Sequence, residues 1–91
     1  MSLSEYRRQM DEIDRELTAL FVRRMELSAR IAVWKSENDV PILDRTRERE
    51  KLNEVSSQVP DELEDYVNTL YLTLFSLSKE YQQERMNDEV K

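Results

Sequence analysis

From Tyr6 to Trp34 one set of positions recurs at alternating steps of four and three: Tyr6, Met10, Ile13, Leu17, Leu20, Arg24, Leu27, Ile31, Trp34. Eight of these nine are apolar. Such spacing holds one stripe on one side of a helix, so it predicts a single long helix with a seam that wants cover. Ser2 followed by Glu5 fits a capping box at its start. The helix is expected over about residues 2–37. In a chain with no Gly, Asn38 is the best left-handed stop signal available, and Pro41 blocks continuation.

Two shorter helices follow with little linker, and neither an internal repeat nor a low-complexity stretch occurs. One is expected over about 44–56, with Asp44 as its N-cap and Leu52 and Val55 as apolar anchors. The other is expected over about 60–85, with Pro60 at its first helical position and Asp61, Glu62 and Glu64 suiting its positive end. Its stripe is Leu63, Val67, Leu70, Tyr71, Leu74, Phe75, Leu77 and Tyr81, and a polar tail is expected over 86–91. The reading is one all-α domain spanning residues 1–91.

Length then constrains assembly. A helix of about 35 residues spans roughly 50 Å. A compact globule of 91 residues has a radius of gyration of only about 12 Å. Two shorter helices cannot cover the whole seam, and soluble monomers avoid large apolar patches. The expected solution is a homodimeric helical bundle, its long helices paired antiparallel about a two-fold axis.

Composition removes much familiar chemistry. The chain has no Gly, no His and no Cys. That excludes phosphate-cradling loops, dinucleotide fingerprints, imidazole bases, thiolate nucleophiles and zinc sites built on nitrogen or sulfur. No metal and no cofactor is expected. A net charge of −6 makes nucleic acid an unsuitable partner. The N-terminus is too polar for a signal peptide and no apolar run reaches membrane length, so no membrane association and a cytoplasmic location are expected.

The informative positions are those that break the stripes. Arg24 interrupts the seam, and Lys35, eleven residues on, returns to within about 20° of the same face. Ser78 and Gln82 continue the apolar face of Tyr71, Leu74 and Phe75. Asp44, Arg47, Glu48 and Lys51 share one face of the second helix. Each alone has a plain reading. Arg24 could be a buried partner of Glu48, Ser78 and Gln82 satisfied core polars, Asp44 only a cap, and the charged face simply solvated. Taken together, two inward cations and two inward hydrogen-bonding groups ask for an anion. Arg24 and Lys35 are about 16 Å apart along the axis, close enough for two long side chains to grip a small dianion. Arg7 lies about 25 Å from Arg24, out of reach in one chain but within reach from an antiparallel partner.

These residues resemble a known family. Arg7, Ile13-Asp14, Leu17, Leu20, Arg24, Glu26-Leu27, Lys35, Pro41, Asp44-Arg-Thr-Arg47-Glu48, Ser78 and Gln82 are similar to the pattern of AroQ-type, all-helical chorismate mutases over nearly the whole chain. The resemblance implies an intertwined homodimer that isomerises chorismate to prephenate by a Claisen rearrangement in Phe and Tyr biosynthesis. It implies that Arg24 and the partner subunit's Arg7 bind the two carboxylates, and that Lys35 and Gln82 hydrogen-bond the ether oxygen. Glu48 would take the ring hydroxyl, helped by backbone at Asp44, with Arg47 and Ser78 as further polar members. Catalysis would then rest on Lys35, Gln82 and Arg24. Lys51 and Lys79 depart from the pattern, standing where family members commonly carry apolar residues, and are expected to turn outward or snorkel.

Those residue types suit that reaction. It abstracts no proton and forms no covalent intermediate. Arg forks hold carboxylates bidentately and so fix a compact conformer. Fixed donors at the ether oxygen favour the transition state as that atom gains charge. Two other readings stand beside it: an isochorismate pyruvate lyase of the same fold, and a non-enzymatic helical dimerisation module, which leaves Arg24, Lys35, Ser78 and Gln82 unexplained.

Overall fold

The computed structural model describes residues 1–90, with the side chains of residues 1–87. Lys91, part of the expected tail, lies outside the described residues. Among the described residues the secondary structure is helical throughout: α1 (Leu3–Glu37), α2 (Arg45–Ser57), a 3-10 turn (Asp61–Leu63) and α3 (Glu64–Val90).

Local chemistry sets the ends. Glu5 N–H donates to Ser2 Oγ at 3.2 Å and Ser2 N–H donates to Glu5 Oε2 at 3.3 Å, so two otherwise orphaned donors at the start of α1 are satisfied. At the other end Asp39, not Asn38, takes the left-handed conformation, with φ of 53°. Asn38 is the C-cap, and its amide Nδ2 donates to the Trp34 carbonyl at 2.8 Å. Val40 N–H then closes back on the Lys35 carbonyl at 2.8 Å. That is a Schellman closure with Asp doing the work usual for Gly, which its short polar side chain tolerates. Asp44 caps α2, its Oδ1 accepting from Arg47 N–H at 3.0 Å.

The third helix differs at both ends from its expected span. Pro60 is the cap of the 3-10 turn rather than the first residue of the helix, and α3 proper begins at Glu64. Helix continues past Arg85 to Val90, where a polar tail was expected. The stretch has no Pro or Gly to stop it.

α3 packs against both α1 and α2. Ala32 on α1 is fully covered, and its small side chain lets the helices approach closely. Phe75 is buried in α3 and meets Tyr71 edge-on, with centroids 6.1 Å apart. Val55 is buried under α2, and Ser56 Oγ donates to Asn68 Oδ1 at 2.9 Å to bind α2 to α3.

This core is thin. Ala32, Val55 and Phe75 are the buried apolar residues among those described. The radius of gyration is 16.5 Å, well above the roughly 12 Å of a compact globule. The α1 seam faces outward in the single chain: Met10, Leu17, Leu20 and Trp34 are each 57% exposed. The face that α1 turns to α3 is centred on the neighbouring Ser28 and Ala32, and of the seam Arg24 reaches across to Ser78 of α3. On α3 the expected stripe is split. Val67, Tyr71, Leu74, Phe75 and Tyr81 are covered to some degree, whereas Leu63, Leu70 and Leu77, seven residues apart, are exposed. An eight-residue apolar stripe is wider than the face one neighbouring helix can cover.

Candidate active site

α1 brings two half-buried cations to one end of its α3-facing side. Arg24, Ser28, Ile31 and Lys35 follow one another at steps of four, three and four, and all border a cleft of about 290 Å³. From α3 come Phe75, Ser78, Lys79 and Gln82, again one face of one helix. The beginning of α2 supplies Asp44, Arg47, Glu48 and Lys51. Seven of the eight expected substrate-binding residues therefore surround a single space: Arg24, Lys35, Asp44, Arg47, Glu48, Ser78 and Gln82. Arg7 is not among them. It is exposed on the second turn of α1, about 25 Å along the axis from Arg24.

The partners inside the cleft differ in part from the plain readings of the sequence. Arg24 Nη1 donates to Ser78 Oγ at 2.8 Å, not to Glu48, and its guanidinium lies 5.9 Å from the Tyr71 ring centroid. Lys35 Nζ donates to the Ile42 carbonyl at 2.9 Å, so the loop between α1 and α2 holds that ammonium in place. Glu48 pairs instead with Lys79, Oε2 to Nζ at 3.2 Å. Lys79 was expected to turn outward or snorkel; its ammonium turns into the cleft because a carboxylate faces it there. Lys51 also borders the cleft while its ammonium reaches Glu54 at 2.8 Å. That hydrogen bond and the Lys51 charge, helped by Arg47, hold the Glu54 carboxyl below its ordinary pKa.

Gln82 is 7% exposed and its Oε1 is buried without a hydrogen-bond partner. An unpaired buried amide costs about 1–3 kcal/mol, and such groups tend to persist where they have a task. Oxygen and nitrogen of the amide exchange places by a half-turn, so this group offers a donor or an acceptor to whatever enters.

Charge sets what the cleft can take. Arg24, Lys35, Arg47, Lys51 and Lys79 face two carboxylates, Asp44 and Glu48. The site carries a net of three positive charges in a chain whose total is −6. A cleft with an excess of one sign of charge draws the opposite sign against the overall field. It can hold a small dianion by Arg forks and point donors, and offers a carboxylate to a hydroxyl. Neither imidazole nor thiol is present in the chain.

Several members escaped the sequence reading. Ser28 has a signal, the step of four from Arg24, that the apolar seam masked. The Ile42 carbonyl has none, since a backbone acceptor is placed by the loop path and not by side-chain type.

No curated protein and no solved structure matches the chain. The model of one family, described as chorismate mutase type II, matches residues 6–83. That span contains every residue assigned here to the cleft, and Arg7 as well. With the all-helical fold and the cationic cleft it bears one meaning: the chain belongs to the type II chorismate mutase family.

Proposed function

We propose that this protein is a chorismate mutase, converting chorismate to prephenate as a step of aromatic amino-acid biosynthesis, and that it works as a homodimer. The observation that carries this reading is the convergence of Arg24 and Lys35 from α1 with Ser78 and Gln82 from α3 on one cleft, with Glu48 across it.

The substrate is a flexible dianion. In the reaction the ether carbon–oxygen bond breaks while a carbon–carbon bond forms within the same molecule, so no proton is taken or returned. Catalysis is positioning plus electrostatics. Arg24, steadied by Ser78, takes one carboxylate as a fork. Arg7 of the partner subunit takes the other. Lys35 and Gln82 donate to the ether oxygen, which becomes more negative as its bond breaks, so their interaction strengthens in the transition state. Glu48 accepts from the ring hydroxyl beside the capped start of α2 at Asp44, and Arg47 adds positive charge at the rim.

Dimerisation is supported by the exposed α1 seam. Leu17, Leu20 and Trp34 belong to an apolar stripe about 42 Å long that one chain leaves largely open. A second copy laid antiparallel along it covers that stripe and carries its own Arg7 towards the first copy's Arg24.

The test is turnover of chorismate followed by ultraviolet absorbance, with product identification. Prephenate formation is expected. Release of pyruvate from isochorismate without prephenate formation from chorismate would replace the mutase reading with the lyase one. No turnover of either by a folded dimer would leave a dimerisation module.

A further inference from the structure

The face of α3 that lines the cleft runs Phe75, Ser78, Lys79, Gln82. Position 79 lies one turn beyond the buried Phe75. A lysine stands there, and its ammonium turns inward to Glu48 at 3.2 Å rather than outward to solvent. Both partners are partly covered, with side chains 36% and 25% exposed. α2 and α3 are already joined at the far end of α2 by Val55 and by the Ser56–Asn68 hydrogen bond. The ion pair therefore is not what α2 needs to stay on α3.

Its position has an electrostatic consequence. Glu48 is a carboxylate in a cleft whose remaining groups suit a dianion. Alone it would repel that ligand at close range, in surroundings less screened than bulk water. Lys79 cancels the repulsion while leaving Glu48 one oxygen to accept a hydrogen bond. The pair is then a neutral couple that both accepts and donates, fitted to a hydroxyl at that end of the ligand.

We infer that Lys79 is a specificity-determining positioning residue, acting through Glu48 to let the site take a dianion bearing a hydroxyl. This rests on the mutase reading above.

The experiment is a double-mutant cycle on the intact protein with chorismate as substrate, folding and dimerisation being checked by circular dichroism and sedimentation. Lys79→Met is expected to raise KM about tenfold, that is about 1.4 kcal/mol, with kcat within about twofold of wild type. Lys79→Arg, which keeps the charge, is expected to restore KM. Glu48→Gln in the Lys79→Met background removes the uncompensated carboxylate, so the double variant is expected to bind no worse than Glu48→Gln alone. A wild-type protein without mutase turnover overturns the mutase reading and this inference with it. An active wild type in which Lys79→Met leaves KM unchanged, or in which the two substitutions add independently, overturns the inference and leaves the mutase reading standing.

Discussion

Arg24 on α1 donates to Ser78 on α3 over 2.8 Å, fifty-four residues apart in the chain. A guanidinium so tethered is already aimed at the cleft, and ligand binding need not arrest its long side chain. The same principle serves Lys35, which the Ile42 carbonyl holds. These two cations are held without a ligand, which suits the proposed reaction, one that needs geometry and fixed charge more than proton transfer.

Arg24→Ala and Lys35→Ala are each expected to lower kcat/KM by about 10²–10³, the usual loss for one preorganised donor. Ser78→Ala removes only the tether and is expected to cost about tenfold, close to one ordinary hydrogen bond. Steady-state kinetics on purified, folded variants checks both. Activity near wild type for Arg24→Ala would remove that residue from the site.

Arg7 is too far from Arg24 in one chain to touch the same small ligand. Mixing Arg7→Ala chains with Arg24→Ala chains is therefore expected to recover activity, because each heterodimer has one site with both arginines intact. Random exchange should return about a quarter of the wild-type sites. Exchange verified by mass, with no recovery of turnover, would show that the site is not shared.

The open seam of α1 requires cover. Sedimentation is expected to report a dimer at micromolar concentration. Leu17→Glu with Leu20→Glu, two charges placed on that stripe, is expected to give monomers or unfolded chains. A well-folded monomer of the wild-type protein would reject the assembly.

Under the proposed function Gln82 donates as a neutral amide and needs no acid. Gln82→Glu is expected to make the reaction acid-dependent. A carboxylate repels an oxygen that is gaining charge, whereas the protonated acid donates to it, so kcat should rise as pH falls. The pH–rate profile of the variant measured against wild type checks this. A flat profile would separate Gln82 from the reacting oxygen.

Ala32 has no exposed surface where α1 meets α3. Ala32→Leu is expected to destabilise the fold by about 1–3 kcal/mol through overpacking. Chemical denaturation at one fixed protein concentration gives the value.

Much of the fold was legible because helix signals are local. The Ser2–Glu5 box and the Asp44 cap depend on residues three apart, and both form as their spacing implies. α1 ends at Glu37 as its spacing implies, but the left-handed residue after it is Asp39 and not Asn38, because both tolerate that region and the closing bond from Val40 decides between them. The grouping of seven polar residues around one cleft was readable for a different reason. Arg24, Lys35, Ser78 and Gln82 stand on otherwise apolar faces, and a cost repeated at several inward positions points to a shared cause, whereas Asp44, Arg47 and Glu48 joined them only through the family resemblance. The pairings within the cleft were not readable. Nothing in the chain's order distinguishes Arg24 with Glu48 from Arg24 with Ser78, or tells whether Lys79 turns in or out.

By itself, then, the order of residues determined three helices, their approximate spans, four polar side chains on inward faces (Arg24, Lys35, Ser78 and Gln82), and an apolar seam longer than one chain can cover. These follow from periodicity and capping, which act over a turn or two of backbone. Tertiary structure alone decided which cation meets which partner, that Lys79 pairs with Glu48, and that α1 buries Ser28 and Ala32 while leaving most of its apolar seam open. Those outcomes depend on how helices distant in sequence are set against one another, and a difference of one residue in their register would exchange the partners.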